Sequence, residues 1–383
     1  MIRVYLLLSL FLIGVKSFAY PNYISYGYQS CMSCHFNPMG NGPLTDYGRS
    51  VAATELTDRL LWPESIRNDD EKLADKSGFF FGKSPINWLR PSASYRGLYY
   101  NMPGSGQPSK WINMDASAAL VAKFFNNDKL IIVGQVSYAP RPVETQGDGK
   151  AYSEMRSREH YIGYRFTKSF GVYAGLMDKA FGIRVPDHIT FSRILTRNDQ
   201  DDQTHGVLLH YLQGNTEIAL QPFVGNLVQE KNVRQQGYTT QIGYRTGETT
   251  RLGASYSSSK SDFATLNMYS LDARTGFGKG NSLLVEVGQT MTKPELGDSV
   301  TNRYVFLQNQ WLLHRGLSSI ITAEMMQPDI HANGEIYRFG PGIQYFPTYR
   351  MELRADIYDT RTHSSTYYTD DTWMVTGQVH LWF

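Results

Sequence analysis

From about Trp88 onward the chain breaks into short segments in which apolar and polar side chains alternate, separated by residues that favour turns. GQVSYAP, SLLVEVGQTMT, NRYVFLQNQWLLH, YRMELRADIYD and TWMVTGQVHLWF all keep a period of two. In RYVFLQNQWLL, Val305, Leu307, Trp311 and Leu313 share one side with Asn309, while Phe306, Gln308 and Gln310 share the other. Strands of roughly ten residues with this alternation fit a membrane barrel, apolar toward lipid and polar toward the lumen.

The pattern predicts strands near residues 90–100, 111–124, 129–140, 157–167, 170–178, 204–213, 215–225 and 236–246. It continues with 250–259, 266–276, 281–291, 302–314, 316–327, 335–346, 349–359 and 372–383. The total, about sixteen, is even, as in single-chain bacterial barrels. Short links at NND, KSF, QGN, TGETT, GKGN, HRG and FPTY alternate with longer ones such as 141–156, 179–203 and 360–371. Outer-membrane barrels alternate in this way, with short periplasmic turns and longer external loops. The expected fold class is therefore mainly β: an antiparallel outer-membrane barrel over residues 88–383. A soluble multi-sheet β protein is the rival, and nothing in it calls for alternating loop lengths. The terminal Phe383 of VHLWF resembles the recognition signal of outer-membrane barrels, and Tyr and Trp at strand ends suit interfacial girdles.

Composition alone does not decide between these folds. The 383 residues carry 26 Tyr, 19 Phe, 6 Trp and 34 Gly, a net charge of +2 and a mean hydropathy of −0.37. With charge so nearly balanced, no nucleic acid is expected as a partner. The first nineteen residues read as an export signal: Arg3, the apolar run VYLLLSLFLIGV, then small residues at Ser17 and Ala19. That run falls short of the ~20 residues of a membrane span, so Tyr20 is the expected mature start, and an uncleaved anchor helix is the alternative.

The only cysteines, Cys31 and Cys34, stand in SCMSCHF, directly before His35. A disulfide between them would close a tiny loop and leave the histidine unexplained. Zinc would need a second ligand pair, and a thioredoxin-like redox pair would need a βαβ setting. Cys-x-x-Cys-His is the pattern for covalent c-type haem, with two thioethers and the histidine as proximal iron ligand. The following NPMGNGPLTDYGR is dense in turn formers, and LTDYGRSVAATELTDRLLW then reads as one helix. Its start lies near Thr45 or Asp46, and Val51, Leu56 and Leu60 form its apolar side. Arg49 is either a solvated helix residue or a partner for a haem propionate.

The order His35, Gly42-Pro43-Leu44, Tyr47-Gly48-Arg49 resembles the region after the haem motif in small soluble c-type cytochromes. There a proline carbonyl accepts a hydrogen bond from the proximal histidine, which implies that Pro43 or Pro38 does so here. A sixth ligand has to face the lumen near the periplasmic side, and Met32 and Met39 lie too close to the attachment site. Counting inward positions gives His380, alongside Gln378 and Thr376, then His210, then His314. Each is otherwise a hydrogen-bonded lumen histidine, and a five-coordinate iron stays open. The link 179–203 is long enough to fold inward, with Arg184, Asp187, His188, Arg193 and His205 as gate, metal or anion residues; a solvated surface loop is the alternative.

Residues 20–62 are too few to wrap a haem with a core of their own, so the segment is expected in or against the barrel's periplasmic mouth. Residues 63–87 read as a connector. This layout resembles the fused monohaem cytochrome–porins, locally through SCMSCHFNPMGNGPLTDYGRSV. Members that oxidise iron(II) at the cell surface tend to carry FPxLNxFGR, whereas this chain has GPLTDYGR, keeping Tyr47, Gly48 and Arg49. The resemblance implies one covalent haem c and electron transfer, with an extracellular iron oxidase as one form it takes. Its partners would be a periplasmic cytochrome or other soluble electron carrier, an extracellular electron donor or acceptor, and outer-membrane lipid. The alternatives are a porin whose haem segment acts as plug or redox sensor, and a haem enzyme with an open iron site.

Overall fold

A computed structural model of the protein describes residues 21–78, 86–104, 106, 108–125, 128–140, 153–187, 189–199, 202–332, 334–364 and 371–383. The expected export signal and His188 lie outside these residues. The first eight strands are β1 Leu89–Asn101, β2 Lys110–Phe124, β3 Leu130–Pro140, β4 Ser153–Arg165, β5 Phe170–Met177, β6 Thr204–Gln213, β7 Thr216–Phe223 and β8 Gln236–Arg245. The second eight are β9 Thr250–Lys260, β10 Ala264–Gly276, β11 Ser282–Pro294, β12 Val300–His314, β13 Leu317–Gln327, β14 Glu335–Thr348, β15 Met351–His363 and β16 Thr372–Trp382. Each strand pairs with its sequence neighbours, and β1 pairs with β16 through Ser94 and Trp382 to Asn101 and Val375, closing the barrel.

Closure leaves no strand edge open, as a wall surrounded by lipid requires. Outward positions such as Leu120, Ile132, Ile162, Ile242, Leu271 and Ile343 are exposed and apolar. Phe306, Gln308 and Gln310 point inward and are buried, as the alternation of β12 predicts. One strand start departs from expectation: β4 begins at Ser153, not near residue 157. A bulge lies between Gln135 and Val136 of β3, whose partners in β4 skip from Glu159 to Ser157. Arg158 and Glu159 are consequently both buried, though adjacent in sequence. A bulge places two residues against one and breaks the period of two, which hides the strand's first turn from a pattern reading.

The N-terminal segment fills the end of the barrel that carries the short turns. Gln29 Nε2 donates to the Glu248 carbonyl at 2.6 Å, Asp58 N–H to the Phe346 carbonyl at 2.9 Å, and Arg315 Nε to the Thr57 carbonyl at 3.0 Å. Helix α1, Asp46–Val51, starts at Thr45, whose hydroxyl accepts the Gly48 N–H at 3.0 Å. The expected long helix stops early. Residues Ala52–Leu56 widen into a π turn, Thr57 is extended, and Leu60 is exposed instead of lying on an apolar face. The region read as connector forms α2, Glu64–Arg67, and α3, Asp70–Lys76; Asp69 caps α3 and Leu73 is fully buried. Caps and one buried leucine suffice to order a segment whose charge suggests a linker.

The link after β5 folds into the lumen, as its length allows, and carries helix α4, Phe191–Thr196. Inward side chains of the wall hold its backbone. Ala180 N–H donates to Gln221 at 2.8 Å, Ile183 N–H to Glu286 at 2.8 Å, and Phe191 N–H to Glu324 at 2.7 Å. A surface loop would leave these backbone groups to water; here the barrel wall satisfies them.

Candidate functional site

The Cys-x-x-Cys-His motif forms a single 3₁₀ turn over Cys31–Ser33. The Cys31 carbonyl accepts the Cys34 and His35 N–H groups at 3.1 and 2.9 Å. The chain then reverses through Gly40, Asn41 and Gly42, all with positive φ, and returns so that Phe36 N–H meets the Pro43 carbonyl at 3.2 Å. Two glycines are forced by close approach. A Cβ on Gly42 would stand 2.3 Å from a carboxylate oxygen of Glu159, and one on Gly48 would stand 2.3 Å from the Cys34 carbonyl oxygen. Gly48→Ala is therefore expected to push α1 off the Cys-x-x-Cys-His turn at a cost of ~1–3 kcal/mol. A lower temperature for the folded-to-unfolded mobility shift on semi-native gels checks this.

Cys31, Cys34 and His35 line one cavity of about 330 Å³, within the range of small-molecule sites. Arg49, Ala52 and Leu56 of the N-terminal segment, Phe181 to Pro186 of the infolded loop, and Glu352, His380 and Trp382 of β15 and β16 also line it. The thiols are unpaired; burial pushes Cys34 up to about 12 and raises Cys31 as well. Burial also lowers the pKa of His35, against the Asn41 and Gly42 carbonyls, which raise it. Its Nδ1 is a buried polar atom without a hydrogen-bond partner.

The three expected sixth-ligand candidates separate. His380 faces the cavity, and its Nδ1 lies 3.2 Å from Glu352 Oε2, with Arg96 Nη2 at 3.3 Å. Glu352 at Nδ1 favours the tautomer that leaves the Nε2 lone pair free, as for metal-ligating histidines, while Arg96, a donor at the same nitrogen, favours the other. His210 is inward, but its Nε2 is bound to Glu217 at 2.8 Å and it does not line the cavity. Glu217 also takes the Ser30 hydroxyl at 2.9 Å and an ion pair from Arg251, so this group ties the haem-motif segment to the wall. His314 is exposed at a short turn, with Nδ1 donating to the Arg315 carbonyl at 2.9 Å. Of the three, only His380 lines the cavity.

Among the other sequence candidates, Arg49 is buried, not solvated. Its Nη2 lies 3.5 Å from the Pro91 carbonyl and 3.4 Å from that of Phe383, at the seam where the barrel closes. Burial and the nearby Arg350 lower its pKa to about 10. Tyr47 does not reach the cavity: it is 55 % exposed and hydrogen-bonds Tyr28, which does. Pro43 and Pro38 line the cavity, but the Pro43 carbonyl receives the Phe36 N–H and no hydrogen bond from His35. In the loop, Arg184 pairs with Asp178 at 2.8 Å, Arg193 donates to the Val185 carbonyl at 2.6 Å, and Asp187 accepts the Tyr358 hydroxyl at 2.9 Å. His205 lies on the outer wall, with Nε2 3.2 Å from that of His160, and plays no part in a gate.

The sequence reading missed the cations that surround the cavity from the wall: Arg96, Arg158, Arg251 and Arg274. Arg251 and Arg274 sit at inward positions of predicted strands, so alternation held a usable signal for them. It held none for Arg158, which the bulge turns inward. The buried Glu159, which accepts from Asn37 Nδ2 at 2.8 Å, was missed for the same reason.

No protein-family model matches this chain, and neither does any curated protein. Solved structures do. A loop-deletion mutant of OmpT from Vibrio cholerae is similar at 12% identity, with a TM-score of 0.59, over 77% of this chain and 99% of that one. The outer-membrane channel DcaP of Acinetobacter baumannii is similar at 13% identity and a TM-score of 0.58, over 77% and 97%. An anion-selective porin from Comamonas acidovorans reaches 10% identity and 0.56, over 77% and 99%. At such identities the likeness shows the fold, a closed barrel of the outer-membrane porin type.

Proposed function

We propose that the protein is a bacterial outer-membrane barrel that holds one covalent haem c in its lumen and passes electrons between an extracellular donor or acceptor and a periplasmic carrier. One observation carries this reading: both motif thiols, the motif histidine and a carboxylate-tethered histidine from the opposite terminus share one cavity. The residues fit the group. Cys31 and Cys34 would supply thioether sulfurs, and His35 and His380, the latter beside Glu352 and Arg96, would supply two imidazoles. Arg96, Arg158 and Arg184 place positive charge around the cavity, where propionates need it. When bound, a c-type haem supplies one-electron redox chemistry. The chain's part is to exclude water with the infolded loop on one side and the N-terminal cap on the other, to hold the imidazoles, and to set the local charge.

A second reading, a porin with a redox-sensing plug, draws on the fold shared with porins. Plugging decides between them. With the lumen filled from residue 21 to the π turn and again by the loop, the purified protein is expected to show no open-pore conductance in planar bilayers. A visible spectrum with potentiometric titration on the same preparation is expected to show one haem. Steady open-pore conductance, with or without haem, favours the porin reading.

A further inference from the structure

The outer face of β8 to β13 is built in tiers. Ile242, Ala254, Leu271, Val287, Val305 and Met325 stand in register on successive strands, one apolar row on the lipid side. All six line a groove of about 610 Å³, roomy enough for an acyl chain. Two residues nearer the external end, the next outward row holds Tyr256, Tyr269, Gln289 and Arg303, which also line the groove. Tyr256 meets Tyr269 at 5.0 Å and Tyr238 at 5.8 Å between ring centroids, and Arg303 Nε donates to Gln289 Oε1 at 3.2 Å. Clustered outward tyrosines near strand ends mark the membrane interface of a barrel.

Lys260 and Lys293 lie further out, on either side of Thr265 in the register of β9, β10 and β11. They stand ~13 Å beyond the tyrosine row, at about 3.3 Å of rise per residue. Both are exposed, and neither is ion-paired among the described residues. The carboxylates of β8 to β13, Asp272, Glu286 and Glu324, are all buried on the lumen side, held by Arg274 and by backbone groups of the infolded loop. Asp262, Glu295 and Asp298 lie past the strand ends, in the loops. The lipid-facing side of these strands therefore carries positive charge alone at its external end, above an apolar groove. Lysine suits that height, since its stem rests on apolar surface while its ammonium stays at the water side.

We propose that this face binds one phosphorylated lipid of the external leaflet, with Lys260 and Lys293 on its phosphate and an acyl chain in the groove. Each tier meets the part of such a lipid found at its own depth: ammonium groups the phosphate, Arg303 and the tyrosines the carbonyl level, and the apolar row the hydrocarbon. Charge attracts the headgroup, and buried chain length adds affinity. The site lies on the outside of the wall, so it does not depend on what the lumen holds.

The test titrates diphosphoryl lipid A into the full-length protein in neutral detergent micelles and counts bound lipid by native mass spectrometry. Wild type is expected to retain one lipid A, with an affinity that falls as salt rises. Lys260→Glu with Lys293→Glu is expected to weaken binding at least about tenfold. Lys260→Gln with Lys293→Gln takes its place where charge reversal disturbs folding. Ala254→Trp fills the groove without touching the charges and is expected to weaken binding as well. Cys31→Ser with Cys34→Ser is expected to bind like wild type, so a missing haem overturns the electron-transfer reading without touching this one. No retention by wild type overturns the site. So does equal affinity for phosphatidylglycerol, which would show attraction by charge alone, or displacement by millimolar inorganic phosphate, which would show a phosphate site without a lipid. Unchanged affinity in either the lysine or the groove variant, with wild-type heat-modifiable mobility, overturns it too.

Discussion

Replacing Cys31 and Cys34 together by serine is expected to abolish covalent haem: the peroxidase stain that survives denaturing electrophoresis in wild type disappears. Both thiols line the cavity beside His35, and no other cysteine exists to take their place. The barrel itself is expected to survive, because its closure is carried by strand pairing and the segment's hold on the wall by other groups. Asn37 on Glu159, Ser30 on Glu217 and Gln29 on the Glu248 carbonyl all remain. Heat-modifiable mobility of the variant should therefore match wild type. If wild type itself shows no stain, the functional reading is lost.

The second large effect concerns His380. His380→Ala is expected to convert a low-spin six-coordinate spectrum into a high-spin one that binds added imidazole, while the covalent stain is retained. His210→Ala and His314→Ala are expected to leave the spectrum unchanged, since neither side chain lines the cavity. Glu352→Gln keeps the imidazole but removes the carboxylate at its Nδ1. Loss of such an outer partner weakens ligation by about 10–100-fold, so competition by added imidazole should set in at correspondingly lower concentration. A low-spin spectrum that persists in His380→Ala would mean that another group holds the sixth position.

Much of the fold was legible because its signal is local. A strand exposed to lipid on one face and to a polar lumen on the other must alternate, and alternation needs no knowledge of neighbours. The strand bounds of β6, β8 and β13 fall within about a residue of those read from the pattern, and the loop-length alternation fixed which end carries the short turns. The pattern failed where the backbone left its period. At β4 the bulge brought Arg158 and Glu159 inward together, and at Thr57 hydrogen bonds from distant barrel residues ended a helix that the apolar spacing would have continued. The helices of residues 63–78 escaped notice because their ordering depends on caps and a single buried leucine.

By itself, the sequence determined that a lipid-facing barrel follows a Cys-x-x-Cys-His motif, since both are written in spacings of two to ten residues. Only the tertiary structure decided which of the three inward-read histidines faces that motif. The answer depends on how far along the lumen each strand carries its side chain and on which carboxylate already holds it. His210 and His380 obey the same alternation, yet Glu217 claims Nε2 of one and Glu352 meets Nδ1 of the other. Contacts between residues more than three hundred positions apart are set by strand register around a closed wall, and no local period encodes them.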